Sequence, residues 1–150
     1  MKNRIAMLGV IAVAAAITAF NTLQEDPWVV PEKYNAMKNP VKADTASILA
    51  GKEIYKSHCT SCHGLNGKGA GKRAVNLSSA PADFTSDAFQ KQTDGALLYK
   101  VYFGHREMPG FKNKFPGNEG ISENNFGKTR IPGDLINFLR SYAKKPVVQG

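Results

Sequence analysis

The sequence predicts an all-α domain of three or more short helices joined by long loops. Three observations carry that expectation. Apolar residues recur at helical spacing in three separate stretches. Those stretches open or close on residues suited to helix ends, and glycine or proline breaks the chain between them. No strand pattern surrounds the two cysteines. The 150 residues suit one ordinary domain. With 42% hydrophobic and 21% charged residues the chain can bury a core, which excludes wholesale disorder. Two cysteines are too few for a disulfide-dense mini-scaffold. No apolar run after residue 24 approaches the roughly 20 residues of a membrane helix, so a polytopic membrane protein is excluded.

Residues 1–24 read as an export signal. Lys2 and Arg4 form a short positive region, and the apolar run Ile5 to Phe20 follows it. Ala14 and Ala16 offer a small-x-small cleavage pattern, yet the run stays uncharged until Glu25. As a helix, residues 5–24 would span about 30 Å, enough for a bilayer core. A cleaved signal and a retained membrane anchor are therefore both expected forms, and a buried helix is disfavoured because the segment has no polar face. Either way, the positive-inside rule places the rest outside the cytoplasm, in the periplasm or on the outer face of the membrane. Residues 25–43 carry Pro27, Pro31 and Pro40 and read as a linker or extended arm, with Trp28 packing on its own domain or meeting a partner.

The domain proper is expected over 44–145, with a tail over 146–150. Asp44 and Thr45 can cap a first helix running to about His58, with Ile48, Leu49, Ile54 and Tyr55 apolar. Gly51 inside it costs roughly 1 kcal/mol against Ala, so close packing is the expected compensation. A second helix follows Thr93-Asp94, carries Leu97, Leu98, Val101 and Tyr102, and ends at Gly104 as a left-handed cap. A third opens near Pro132-Gly133-Asp134 and aligns Leu135, Phe138, Leu139 and Tyr142 on one stripe.

Both cysteines lie in Cys59-Thr60-Ser61-Cys62-His63. C-x-x-C-H is the spacing of c-type haem attachment. Two thiols three positions apart on a helical turn face the same way and can both add to the haem vinyl groups. His63 is then held beneath the iron as the proximal ligand. Three rivals stand beside this reading. A thioredoxin-like pair needs a βαβ context. A zinc site needs a fourth ligand, for which only His58 and His105 are on offer. A structural disulfide leaves His63 unexplained.

Gly51-Lys52-Glu53-Ile54-Tyr55 leading into Cys59–His63-Gly64, then Met108-Pro109-Gly110-Phe111 and a final amphipathic helix, resembles a class I monohaem cytochrome c over residues 44–145. The resemblance implies short helices wrapped around one haem c attached through Cys59 and Cys62. It implies a contact of Gly51 with Phe138 or Tyr142 where first and last helices cross. It also implies a carbonyl near a proline that orients the proximal imidazole, for which Pro81 is the best match. A sixth ligand is implied too. Met108 is the only methionine after the motif, and Pro109 restricts its backbone as a ligand-presenting loop requires. His105 and Met37 are the alternatives, whereas His58 sits on the proximal side. The arm before residue 44 and the 112–130 loop follow no short form of the pattern.

The resulting expectation is an exported single-electron carrier, or the cytochrome subunit of a redox complex, and not itself an enzyme. His63 and Met108 fill the iron. The competing classes are a haem enzyme or gas sensor with a vacant sixth site served by His105, and a thiol–disulfide oxidoreductase. The formal charge of +8, or +6 without Lys2 and Arg4, suits an acidic docking surface on a redox protein such as an oxidase, a reductase or a quinol-oxidising complex. Nucleic acid is not expected as a partner. The basic loop with Gly64, Gly67, Gly69 and Gly71 lacks a G-x-x-x-x-G-K-[ST] pattern, so it reads as a flexible solvated loop near the haem edge, not a phosphate cradle.

Overall fold

The computed structural model describes residues 28–112, Lys114 and 130–143. The expectations for residues 1–24, for the tail over 146–150 and for most of the 112–130 loop lie outside the described residues. Among those described, no helix is long and apolar enough to cross a membrane.

The chain runs α1 (Glu32–Asn35), α2 (Thr45–His58), α3 (Thr60–His63), a 3-10 turn (Ala74–Asn76), α4 (Asp87–Gln90), α5 (Asp94–Phe103), β1 (Gly104–His105), β2 (Met108–Pro109) and α6 (Arg130–Arg140). Among the described residues it is a helical fold with one small antiparallel hairpin. The Asp44 carboxylate caps α2 by accepting from the Ser47 backbone N–H at 2.8 Å. Thr93 caps α5 in the same way, accepting from Ala96 at 3.1 Å. α6 opens at Arg130, two residues before the expected start. Pro132 then falls in its first turn, where a missing N–H costs nothing.

The α2–α6 crossing is the most extensive contact between elements. Gly51 makes it possible, because a Cβ there would lie 2.8 Å from the Phe138 Cβ and would collide with the Asp134 carbonyl. Tyr55, Leu135, Ile136, Phe138 and Leu139 close the core around that crossing, and Leu97, Leu98, Val101 and Tyr102 of α5 complete it. A buried polar cluster fixes the register. The Ser47 hydroxyl donates to Asp134 at 2.6 Å, and the Asn137 amide donates to Ser47 Oγ and the Val41 carbonyl at 2.8 and 3.2 Å.

Residues 28–43 lie against the domain. Pro31 does not end a helix; it precedes the single turn α1. Tyr34 of that turn is buried, with its ring 4.7 Å from Tyr99 of α5. Gly95 lets the segment approach, since a Cβ there would meet the Tyr34 and Met37 carbonyls. Asn39 then donates to the Gly133 carbonyl of α6 at 2.9 Å.

Gly104 ends α5, but not as a left-handed cap. Its φ is +69° and its ψ −179°, a combination open to glycine that turns the chain straight into β1. Gly104 pairs with Pro109 and His105 with Met108, so Met108 stands in a hairpin where a loop was expected.

Candidate haem-attachment site

Cys59 is the residue that ends α2, and Cys62 and His63 lie on the following turn α3. The Cys59 N–H still donates to the Tyr55 carbonyl at 2.9 Å, and the His63 N–H donates to the Cys59 carbonyl at 2.9 Å. The motif is thus the continuation of a helix anchored by the α2–α6 crossing. Both cysteine side chains are half-buried. Burial, with a smaller contribution from Cys62, pushes the Cys59 thiol up to about 12.

The segment after the motif folds back and occupies its carbonyls. Gly69 donates to His63 at 3.0 Å, Gly71 to Cys62 at 2.9 Å and Arg73 to Ser61 at 2.8 Å. Gly64, Gly67 and Gly69 supply the positive φ angles this path needs. Two phenols close it: Tyr55 donates to the Gly64 carbonyl at 2.6 Å and Tyr142 to that of Leu65 at 2.9 Å. The glycine-rich loop therefore fixes the motif, while Lys68, Lys72 and Arg73 on it remain exposed. Tyr55, four residues before Cys59, could have been read from sequence as facing the motif. The partnership of Tyr142 with Leu65 had no local signal.

His63 stacks on Phe84, with centroids 4.5 Å apart, and its Nδ1 lies 3.5 Å from the Ala82 carbonyl. The carbonyl is that of the residue after Pro81. Burial lowers the imidazole pKa, and the Ala82 carbonyl opposes that shift only in part. A carbonyl can only accept, so this contact suits an Nδ1–H tautomer and leaves the Nε2 lone pair for a metal.

Met108 comes from a separate element and is half-buried against the core cluster. Its register partner is His105, whose ring stacks on Trp28 with centroids 5.2 Å apart. Met37 packs in the 28–43 segment, and His58 is exposed, its ring edge-on to Phe111 at 5.8 Å. Among the described residues no three of His, Cys, Asp or Glu are gathered to hold a metal ion.

Two thiols three positions apart and an imidazole whose Nδ1 faces a carbonyl fit a haem c, and the Met108 thioether stands on a separate element. A family model described as cytochrome c matches residues 48–142. The chain belongs to the cytochrome c family. Membership implies a covalently bound haem c, and Cys59 and Cys62 stand in the required C-x-x-C arrangement. The fold is similar to a chain of the reducing HAO-like protein complex of Kuenenia stuttgartiensis, with a TM-score of 0.56 and 24% identity. That match covers 84% of this chain and 54% of the other, so this cytochrome spans about half the length of its structural neighbour. No curated protein matches the sequence.

Proposed function

We propose that this cytochrome is an exported single-electron carrier in which His63 and Met108 are the two axial ligands. The observation that carries the reading is His63, held on a helical turn directly after Cys62, between Phe84 and the Ala82 carbonyl. When bound, the haem supplies one-electron exchange between ferric and ferrous iron. Cys59 and Cys62 would hold it through thioethers, and His63 would donate through Nε2. Met108 would supply a soft, neutral thioether that favours the ferrous state and raises the potential. With both ligands bound, the iron would have no free position for a substrate.

Redox proteins are the proposed partners, an oxidase, a reductase or a quinol-oxidising complex among them. The structural neighbour is a chain of a reducing HAO-like protein complex, which supports a role as a complex subunit as well as a free shuttle. Export rests on the charge-then-apolar layout of residues 1–24, and the proposed location is the periplasm or the outer face of the cytoplasmic membrane. The mass of the native protein tests both attachment and processing, because it reports an added haem and any missing N-terminal residues.

Carbon monoxide distinguishes carrier from haem enzyme. The reduced parent is expected not to bind it, whereas Met108→Ala binds it, loses the ferric thioether charge-transfer band and has a lower potential. A Met108→Ala spectrum identical to the parent's would assign the sixth position to His105 or Met37 instead.

A further inference from the structure

Two ligand-capable side chains stand side by side in the hairpin. His105 and Met108 are register partners in an antiparallel pair, and such partners project to the same face with Cβ atoms about 5 Å apart. Imidazole binds iron well, so the choice of Met108 needs something that occupies His105. Trp28 does so. Its ring lies over the imidazole at 5.2 Å and an interplanar angle of 23°, and the His105 Nε2 atom is buried.

Trp28 is itself held from two sides. Lys100 of α5 places its ammonium 5.1 Å from the Trp28 ring centroid, a cation–π contact. Behind it the segment is pinned independently: Tyr34 is buried against Tyr99, Gly95 admits the Tyr34 and Met37 carbonyls, and Asn35 donates to the Val30 carbonyl at 3.5 Å. The 28–43 segment thereby delivers an indole to the hairpin in a fixed register.

We infer that Trp28 is a positioning residue that holds His105 against the N-terminal segment and so reserves the sixth iron position for Met108. The inference rests on Met108 ligation, and the experiment separates the two. Trp28→Ala and Trp28→Leu, the latter retaining apolar bulk without an aromatic face, are compared with Trp28→Phe and with Trp28→Ala combined with His105→Gln. The readouts are the ferric thioether band, the reduction potential and the thermal midpoint of the haem-loaded protein. Expected is loss of most of the band and a lower potential in Trp28→Ala and Trp28→Leu. Trp28→Phe keeps both. The double variant recovers band and potential even though its thermal midpoint stays below the parent's, which a purely structural role would not produce. A parent-like band in Trp28→Leu, or a double variant as altered as the single one, overturns the inference and leaves Met108 ligation standing. A parent without the band overturns both.

Discussion

Cys59 and Cys62 occupy different backbone settings, and that difference should appear in their variants. Cys59 ends α2 and packs against the core cluster, whereas Cys62 lies within α3 beside the Ser61 hydroxyl at 3.8 Å. Each thioether would fix one side of the ring. Either single variant, Cys59→Ala or Cys62→Ala, is therefore expected to block maturation or to leave haem held by one thioether, and the double variant to leave only haem that acid extraction removes. Normal covalent haem in both single variants would contradict attachment through this motif. The motif was fully legible in sequence, since five consecutive residues carry the chemistry. The carbonyl that faces His63 was legible only to within one residue, because Pro81 marks the turn while Ala82 supplies the oxygen.

At the scale of elements, the α2–α6 crossing supports the motif, and Gly51 is its narrowest point. Replacing glycine by alanine inside a helix normally stabilises it by roughly 1 kcal/mol. Here the added methyl would meet the Asp134 backbone and the Phe138 Cβ, and overpacking of this kind costs about 1–3 kcal/mol. Gly51→Ala should thus be neutral to clearly destabilising in a denaturant titration of the haem-loaded protein, never stabilising. Lys52→Ala, on the exposed face of the same helix, should change stability by no more than about 0.5 kcal/mol. The helices themselves were readable because caps and apolar spacing are local signals, and Asp44, Thr93 and the Leu135–Phe138–Leu139 stripe all behave as expected. The N-terminal segment was not. Asn39, Val41 and Asn137 meet across more than 90 positions of sequence, and no periodicity in a proline-interrupted stretch announces such a partner. The hairpin escaped for a related reason: two paired residues on each side are too short to show alternation.

Across the whole molecule, several exposed cations lie on the two segments that carry the candidate site. Lys68, Lys72 and Arg73 sit on the loop hydrogen-bonded to the haem motif, and Arg106 sits in the turn of the Met108 hairpin. Leu65 and Val75, 81% and 85% exposed, interleave apolar surface with those charges on the same loop. Lys112 and Lys114 follow the hairpin, with the Lys114 ammonium 5.3 Å from the Phe111 ring. A partner with acidic side chains would be drawn by the charges and seated by the apolar residues. Exposed charges interact over about 10 Å at 0.1 M ionic strength, so added salt shortens the reach of that attraction. Electron-transfer rates with the physiological partner should therefore fall as salt rises. Lys72→Gln combined with Arg73→Gln should flatten the salt dependence and leave the reduction potential and the charge-transfer band near the parent's. Leu65→Ser should slow transfer at every salt concentration without changing that slope, because it removes seating and not steering. A parent rate indifferent to ionic strength would mean that these cations are ordinary solvated surface, and that docking relies on the apolar residues alone.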